Sequence, residues 1–216
     1  MSDTVVAAGP DARSFLQGQL SQDLATVDRD GSAWSWLLQP TGKVAALVRV
    51  TKLDTESYSL EVDSGFGSVV MTRLNRFKLR VKLDLSLTEA GGPVYEGTTA
   101  ERVAAVWPAM GIELIPDETI PNAAGINDVA VSFTKGCYTG QELVARVDSR
   151  GDHTPFRLRH LSAAGPLVAG AALEVEGKKV GTVTTADGCV ALGWVARSVE
   201  VGATVLAEGQ VVTVDR

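Results

Sequence analysis

Hydrophobic residues recur along the first ninety positions with the periods of short strands and short helices. The apolar runs Ala33–Leu38 and Val44–Val50 predict a hairpin around the turn residues Gln39 to Gly42. A helix that Asp11 can cap is predicted by apolar residues at helical spacing, namely Ala12, Phe15, Leu16 and Leu20. Strands joined by hairpins and interrupted by helices favour an α+β fold on an antiparallel sheet.

The longest strict alternation of apolar and polar residues lies between positions 77 and 87. Its apolar members are Phe77, Leu79, Val81, Leu83, Leu85 and Leu87. A period of two predicts a single strand with one buried face. Farther along, Thr98 and Glu101 have the spacing of a capping box and predict the start of a helix.

The pattern changes after residue 155, where short β-prone runs are separated by glycine-containing turns. The six runs are Phe156–Leu161, Ala172–Glu176, Val180–Thr185, Cys189–Val195, Thr204–Ala207 and Val211–Val214. Six short strands in so few residues predict a small barrel or sandwich. We therefore expect an α+β domain over residues 1–155, in portions of about 1–90 and 91–155, and a β-barrel domain over 156–216.

Composition and charge narrow the class of protein. Hydrophobic residues make up 45% and charged residues 21% of the 216 positions, which excludes intrinsic disorder. The formal net charge of −6 argues against a direct nucleic-acid binder, since such proteins are basic. No apolar run reaches the ~20 residues that span a bilayer, and the first residues lack the features of a signal peptide. We expect a cytoplasmic protein without a membrane partner.

Two cysteines, Cys137 and Cys189, are present, and they form no CxxC pair. This count excludes a disulfide framework and a four-cysteine metal site, so no metal site is predicted. Cys189 stands in an apolar run and is expected in the core.

The segment from Phe133 to Arg146 carries the strongest chemical signal. Thr139 and Glu142 have the spacing of a second capping box, so Cys137 should lie just ahead of a helix. Exposed helix amides and the ammonium of Lys135 would both favour the thiolate form of its side chain. Gly136 would let the backbone approach a ligand closely. The alternative is a small buried cysteine in a helix-entry loop.

A basic stripe and a loop carboxylate are weaker signals. Between Met71 and Lys82 the sequence has five basic residues and no acidic one: Arg73, Arg76, Lys78, Arg80 and Lys82. The stripe suits a polyanion, although a solvated strand face is the simpler explanation. Glu118 lies in a proline-flanked loop, where most glutamates are merely solvated.

The run from Lys135 to Glu142 (KGCYTGQE) resembles the signature of the YgfZ-type folate-binding proteins, relatives of the glycine-cleavage T-protein, an aminomethyltransferase. Further segments agree in the family's order. They are Gly9-x-Asp11, Phe15 to Gln19 with Asp23, Pro40-x-Gly42-Lys43, Leu74 to Lys82, Glu118-x-x-Pro121 and Val180 to Thr184. The resemblance covers nearly the whole chain.

This resemblance implies a fold and a role. The fold would be two ferredoxin-like α+β portions and a C-terminal β-barrel around an opening that holds tetrahydrofolate, in a one-carbon or polyglutamate form. The role would be support of iron–sulfur cluster assembly or repair in partner enzymes, including one that thiolates tRNA, through contact with those enzymes or with cluster-assembly proteins.

Site residues follow from the same resemblance. It implies that Cys137 and its neighbour Lys135 are the reactive pair and that Glu118 contacts the pterin ring. Arg80, in the basic stripe, is suited to the carboxylates of a polyglutamate tail. The expected cofactor-binding set is completed by Gly136, Tyr138 and Arg146, in or beside the motif.

One departure from the T-protein pattern bears on activity. The T-protein has a catalytic aspartate shortly after the hairpin glycine that corresponds to Gly42, whereas Gly42 to Leu47 here contain no carboxylate. This loss argues against aminomethyl transfer while leaving folate binding possible. A tetrahydrofolate-dependent aminomethyl- or methyltransferase remains the alternative, and a folate binder without chemistry is a third possibility.

Overall fold

An antiparallel sheet organises the first part of the chain in a computed structural model that describes residues 2–151 and 153–216. The strands are β1 (Asp3–Ala8), β2 (Ser32–Leu38), β3 (Val44–Lys52), β4 (Ser57–Val62) and β5 (Asp84–Thr88). They pair in the order β2-β3-β4-β1-β5. The hairpin predicted around Gln39 to Gly42 is confirmed, with Leu37 opposite Ala46.

Six α-helices accompany the sheet among the described residues. They are α1 (Ala12–Gln19), α2 (Leu24–Asp30), α3 (Gly67–Phe77), α4 (Thr99–Ala104), α5 (Asn127–Ala130) and α6 (Gln141–Ser149), with a 3₁₀ turn over Pro121–Ala124. Apolar faces of the first helices bury residues such as Leu16, Val27 and Leu74 against the sheet. The capping box of α4 is confirmed, since the Thr98 hydroxyl accepts from Glu101 N and the Glu101 carboxylate accepts from Thr98 N.

The strand predicted over residues 77–87 is wrong in its first half. Helix α3 continues to Phe77, and β5 begins only at Asp84. Between them Arg80 has a φ of +57°, which breaks an extended run, and Leu79 is 76% exposed. The amide of Lys82 donates to the Asp11 carboxylate at 2.7 Å. Alternation alone therefore misled here, because the apolar residues of this segment do not share one face.

The C-terminal part is a closed six-stranded barrel. Its strands are β6 (Phe156–Ala163), β7 (Ala172–Val175), β8 (Lys178–Asp187), β9 (Val190–Ala196), β10 (Thr204–Ala207) and β11 (Gln210–Val214), in the order β10-β11-β6-β9-β8-β7. The predicted α+β fold with a C-terminal barrel is thus confirmed, whereas the division into domains at residue 155 stays a prediction. Cys189 is exposed between β8 and β9, so its predicted core position is wrong.

A buried carboxylate joins the barrel to the middle of the chain. Glu113 is fully buried and accepts hydrogen bonds from the guanidinium of Arg102 at 2.9 Å and from Ala109 N at 2.9 Å. The hydroxyls of Thr184 and Thr185, at a register irregularity of β8, donate to its other oxygen at 2.8 and 2.6 Å. A buried charge is tolerated when it is paired and fully hydrogen-bonded. This junction fixes the walls of the cavities described below.

Candidate functional site

The KGCYTGQE segment is anchored to the end of α1 by its lysine. The Lys135 ammonium donates to the carbonyl oxygens of Gln17 at 2.6 Å, Leu20 at 2.7 Å and Gln22 at 3.1 Å. Carbonyls at a helix C-terminus lack intrahelical donors, so a cation there satisfies them. Burial lowers the pKa of Lys135 to about 8, against the opposing attraction of Asp23. Lys135 is therefore committed to the backbone around α1.

The next residues of the motif also dock on α1. The amide of Thr139 donates to the carbonyl of Gly18 at 3.0 Å. Helix α6 is capped by Gly140, whose φ is +85°, and no side chain caps it. The capping box predicted for Thr139 and Glu142 is therefore wrong. The Thr139 hydroxyl does not cap α6 because it faces α1 instead. It lies 3.4 Å from the carbonyl oxygen of Gly18 and 3.4 Å from Oε1 of Gln19.

Gly140 is required by a close approach of two backbones. A Cβ added there would lie 2.5 Å from the carbonyl oxygen of Gln39 and 2.8 Å from Leu38 Cβ. On the facing turn, a Cβ at Gly42 would overlap the side chain of Leu143. The two glycines let the β2–β3 turn pack directly on the start of α6, which holds the motif in place.

The remaining motif residues differ in exposure. Cys137 is an exposed free thiol, and a Cβ added at Gly136 would meet no atom within 4 Å. Tyr138 is half-buried against the hydrophobic core that packs on the antiparallel sheet, and burial raises its pKa to about 12. Arg146 is exposed on α6. The thiol of Cys137 is therefore accessible to a partner protein as well as to a small molecule.

The largest of the described cavities, about 670 Å³, lies between the 112–123 loop and the barrel. Its lining residues are Ile112, Glu113, Ile115, Glu118, Thr119, Ile120, Ala123, Thr154, Pro155, Phe156, Lys179, Gly181, Thr182 and Trp194. Most are apolar, while Glu118 and Lys179 contribute opposite charges. Val44 N donates to Thr119 O at 2.9 Å, so the loop is fixed to β3. Apolar walls with a few polar groups are typical of small-molecule sites.

A second cavity of about 420 Å³ adjoins the first, because Ile112 lines both. Trp34, Tyr95 and Trp107 contribute aromatic rings to its walls. The ring centroids of Trp34 and Trp107 are 4.7 Å apart. Leu47 of β3 also lines this cavity. It belongs to the stretch from Gly42 to Leu47, which contains no carboxylate.

The structure does not bring all the predicted site residues together. Glu118 lines the 670 Å³ cavity, but the cavities described have neither Cys137 nor Lys135 among their lining residues, nor Arg80, Gly136, Tyr138 or Arg146. Arg80 is exposed in the irregular segment before β5. Sequence reasoning missed Lys179 and Trp194. Neither has a local signal, since each reaches the cavity only through the barrel topology.

Two absences apply to the residues that the structure describes. Within 2–151 and 153–216, no helix is both long and apolar enough to cross a membrane. Over the same ranges, no group of three or more His, Cys, Asp and Glu side chains could hold a metal ion.

Comparison with known proteins agrees with this fold. The aminomethyltransferase T of the glycine cleavage system from Bartonella henselae superposes with a TM-score of 0.83, over 99% of this chain and 82% of that one, at 18% identity. At that identity the match establishes the fold alone. No protein-family model matches the chain.

Two of the sequence relatives have names that refer to tRNA modification and to iron–sulfur cluster assembly. The tRNA-modifying protein YgfZ of Vibrio atlanticus is 28% identical over 68% of this chain and 63% of its own length. The mitochondrial iron–sulfur cluster assembly factor IBA57 homolog of Pyricularia oryzae is 22% identical over 68% of this chain and 52% of its own. The chain thus spans less than two thirds of either relative. The resemblance to YgfZ-type, T-protein-like proteins is confirmed.

Proposed function

We propose that this YgfZ-type, T-protein-like chain binds a reduced folate and supports iron–sulfur enzymes, including enzymes that modify tRNA, through the thiol of Cys137. The ligand would be tetrahydrofolate or one of its one-carbon or polyglutamate forms. The names of the relatives motivate the iron–sulfur part of the proposal. The folate part depends chiefly on one observation, the 670 Å³ cavity with a carboxylate in its wall.

The cavity suits a pteroyl group by its chemistry. A pterin ring is flat and carries N–H donors on one edge, which a carboxylate such as Glu118 accepts in pairs. Trp194 and Phe156 offer aromatic surface, and Ile115 and Ile120 offer apolar walls. The Lys179 ammonium gives the same cavity a cation for a ligand carboxylate. Its volume lies within the 300–1,000 Å³ usual for small-molecule sites.

Cys137 would serve the iron–sulfur part of the proposed function and not the binding of folate. It is exposed and belongs to none of the described cavities, so we assign its thiol to a partner protein or its cluster rather than to the folate. One cysteine cannot hold an iron–sulfur cluster alone, since clusters take about four thiolates. Any cluster contact would be shared with the partner. Both cysteines are free thiols.

The alternative of aminomethyl transfer receives no support from the site. Ala45 and Ala46, in the stretch where the T-protein has its aspartate, are fully buried apolar residues. An alanine cannot act as a general base or as an electrostatic partner. We therefore propose an accessory role rather than T-protein chemistry.

Calorimetric titration with tetrahydrofolate tests the folate part. The wild type should bind saturably, and Glu118→Ala should weaken binding about tenfold or more, because ring donors lose a charged acceptor. Glu56→Ala, at an exposed turn outside the cavity, is the matched control and should bind like the wild type. An absence of binding by the wild type, or equal affinity of the wild type and Glu118→Ala, would overturn it.

A further inference from the structure

A third cavity of about 310 Å³ lies between α3, the β2–β3 turn and the loop that carries Glu118. Its lining residues are Gln39, Ser68, Val69, Thr72, Arg73, Arg76 and Asp117. Asp117 directly precedes Glu118, so consecutive residues of one loop line the two cavities. Two arginines and one carboxylate give the lining of this third cavity a net positive charge.

Arg73 is a buried cation with an unused donor. Its residue is only 3% exposed. Its Nε donates to the carbonyl of Leu38 at 2.8 Å and its Nη1 to the amide oxygen of Gln19 at 3.0 Å. Its Nη2 is buried without a hydrogen-bond partner. Because both acceptors are neutral, they leave the positive charge uncompensated, and a buried charge without a counter-ion is costly.

A second arginine adds to the positive charge around Arg73. Arg76 lies one turn farther along α3, and both guanidinium groups face the ring of Phe77, at 4.1 Å from its centroid for Arg73 and 5.9 Å for Arg76. Burial and the neighbouring Arg76 lower the pKa of Arg73 to about 10. Asp117 is the one carboxylate in the lining, and within the described residues no ion pair joins it to either arginine.

We propose that this cavity binds a small anionic group, a carboxylate or a phosphate, against Arg73 and Arg76. A guanidinium matches both groups through paired hydrogen bonds. The hydroxyls of Ser68 and Thr72 in the same lining supply further donors. The anion could be free in solution, or it could be the end of the γ-glutamyl tail of a folate seated beyond Glu118, and this second source rests on the proposed function.

Probes that lack a pterin ring keep this test separate from folate binding. Purified protein with ¹⁵N-labelled arginine is titrated with inorganic phosphate and, separately, with γ-linked triglutamate, at constant ionic strength. We expect saturable shifts of the Arg73 Nε–Hε signal with at least one of them. Because Arg73 is buried, the variants are made at exposed positions: Arg76→Gln, Asp117→Asn, and Arg197→Gln as a control outside the cavity.

The two cavity variants should change affinity in opposite directions. Arg76→Gln should weaken binding about three- to fivefold and Asp117→Asn should strengthen it, as expected for exposed charges beside an anion, while Arg197→Gln should match the wild type. Saturation by phosphate alone identifies a free-anion site, and saturation by triglutamate identifies a site for the tail. An absence of saturable shifts with both probes overturns the proposal. Equal affinities of the wild type, Arg76→Gln and Asp117→Asn overturn it as well.

Discussion

The ammonium nitrogen of Lys135 lies 2.6 Å from the carbonyl oxygen of Gln17, across 118 positions of sequence. Two more carbonyls, those of Leu20 and Gln22, also accept hydrogen bonds from it. The lysine of the KGCYTGQE segment therefore fastens the segment to the end of α1. Its neighbour Cys137 stays exposed, on a backbone that this anchor and Gly140 hold in one position.

Replacing the anchor should destabilise the fold. Lys135→Met removes the donor to three carbonyls, and we expect the free energy of unfolding to fall by about 2 kcal/mol or more. Urea denaturation followed by circular dichroism measures the change. Lys82→Met, at an exposed lysine, is the control and should change stability by less than about 0.5 kcal/mol. Equal stability of the two variants would show that Lys135 has no anchoring role.

Two glycines of the motif should respond differently to alanine. At Gly140 the backbone has a positive φ and a Cβ would meet Gln39 O at 2.5 Å, so Gly140→Ala should cost about 1–3 kcal/mol. At Gly136 a Cβ would meet nothing within 4 Å, so Gly136→Ala should leave the melting temperature nearly unchanged. Similar melting temperatures for both variants would contradict the close approach of the turn and α6.

The two exposed cysteines provide a matched pair for the iron–sulfur role. Cys137→Ser should retain the fold and tetrahydrofolate binding, because its side chain belongs to no described cavity, but should lose support of iron–sulfur enzymes in cells lacking the protein. Cys189→Ser should retain all three properties. Activities of iron–sulfur enzymes and the level of tRNA thiolation are the readouts. Full support by Cys137→Ser would refute a thiol mechanism.

Affinities for monoglutamate and polyglutamate forms of folate can distinguish which residue binds the folate carboxylates. Lys179 lines the cavity with Glu118, so Lys179→Met should weaken monoglutamate and polyglutamate forms alike. The sequence-based assignment of Arg80 to the tail predicts that Arg80→Ala weakens the polyglutamate form more than the monoglutamate. Calorimetry with both forms measures the two ratios. Equal losses for both forms with Arg80→Ala would remove Arg80 from the tail site.

Local signals in the sequence predicted the elements whose residues determine them locally. The barrel strands, the hairpin around Gln39 to Gly42 and the capping box of α4 depend on turn residues and short patterns. The strand from 77 to 87 failed because α3 continues to Phe77 and Arg80 takes a left-handed conformation. Periodicity does not encode either feature.

The site was less predictable because its contacts are distant in sequence. The motif around Cys137 was located by its residues, but the acceptors of Lys135 lie more than a hundred positions away. Lys179 and Trp194 join Glu118 only when the barrel closes against the 112–123 loop. The capping role expected of Thr139 was lost to a tertiary contact with α1.

Tetrahydrofolate binding between the loop and the barrel is tested most directly by following a residue of the cavity wall during a titration. Each of the four tryptophans gives one indole Nε1–Hε1 signal in a ¹H–¹⁵N spectrum, and Trp194→Phe assigns the signal of Trp194. With tetrahydrofolate, the Trp194 signal should shift most and saturate, while the signal of buried Trp36, which donates to Asn127, should stay in place. A Trp194 signal that does not move at saturating ligand would contradict folate binding between the loop and the barrel.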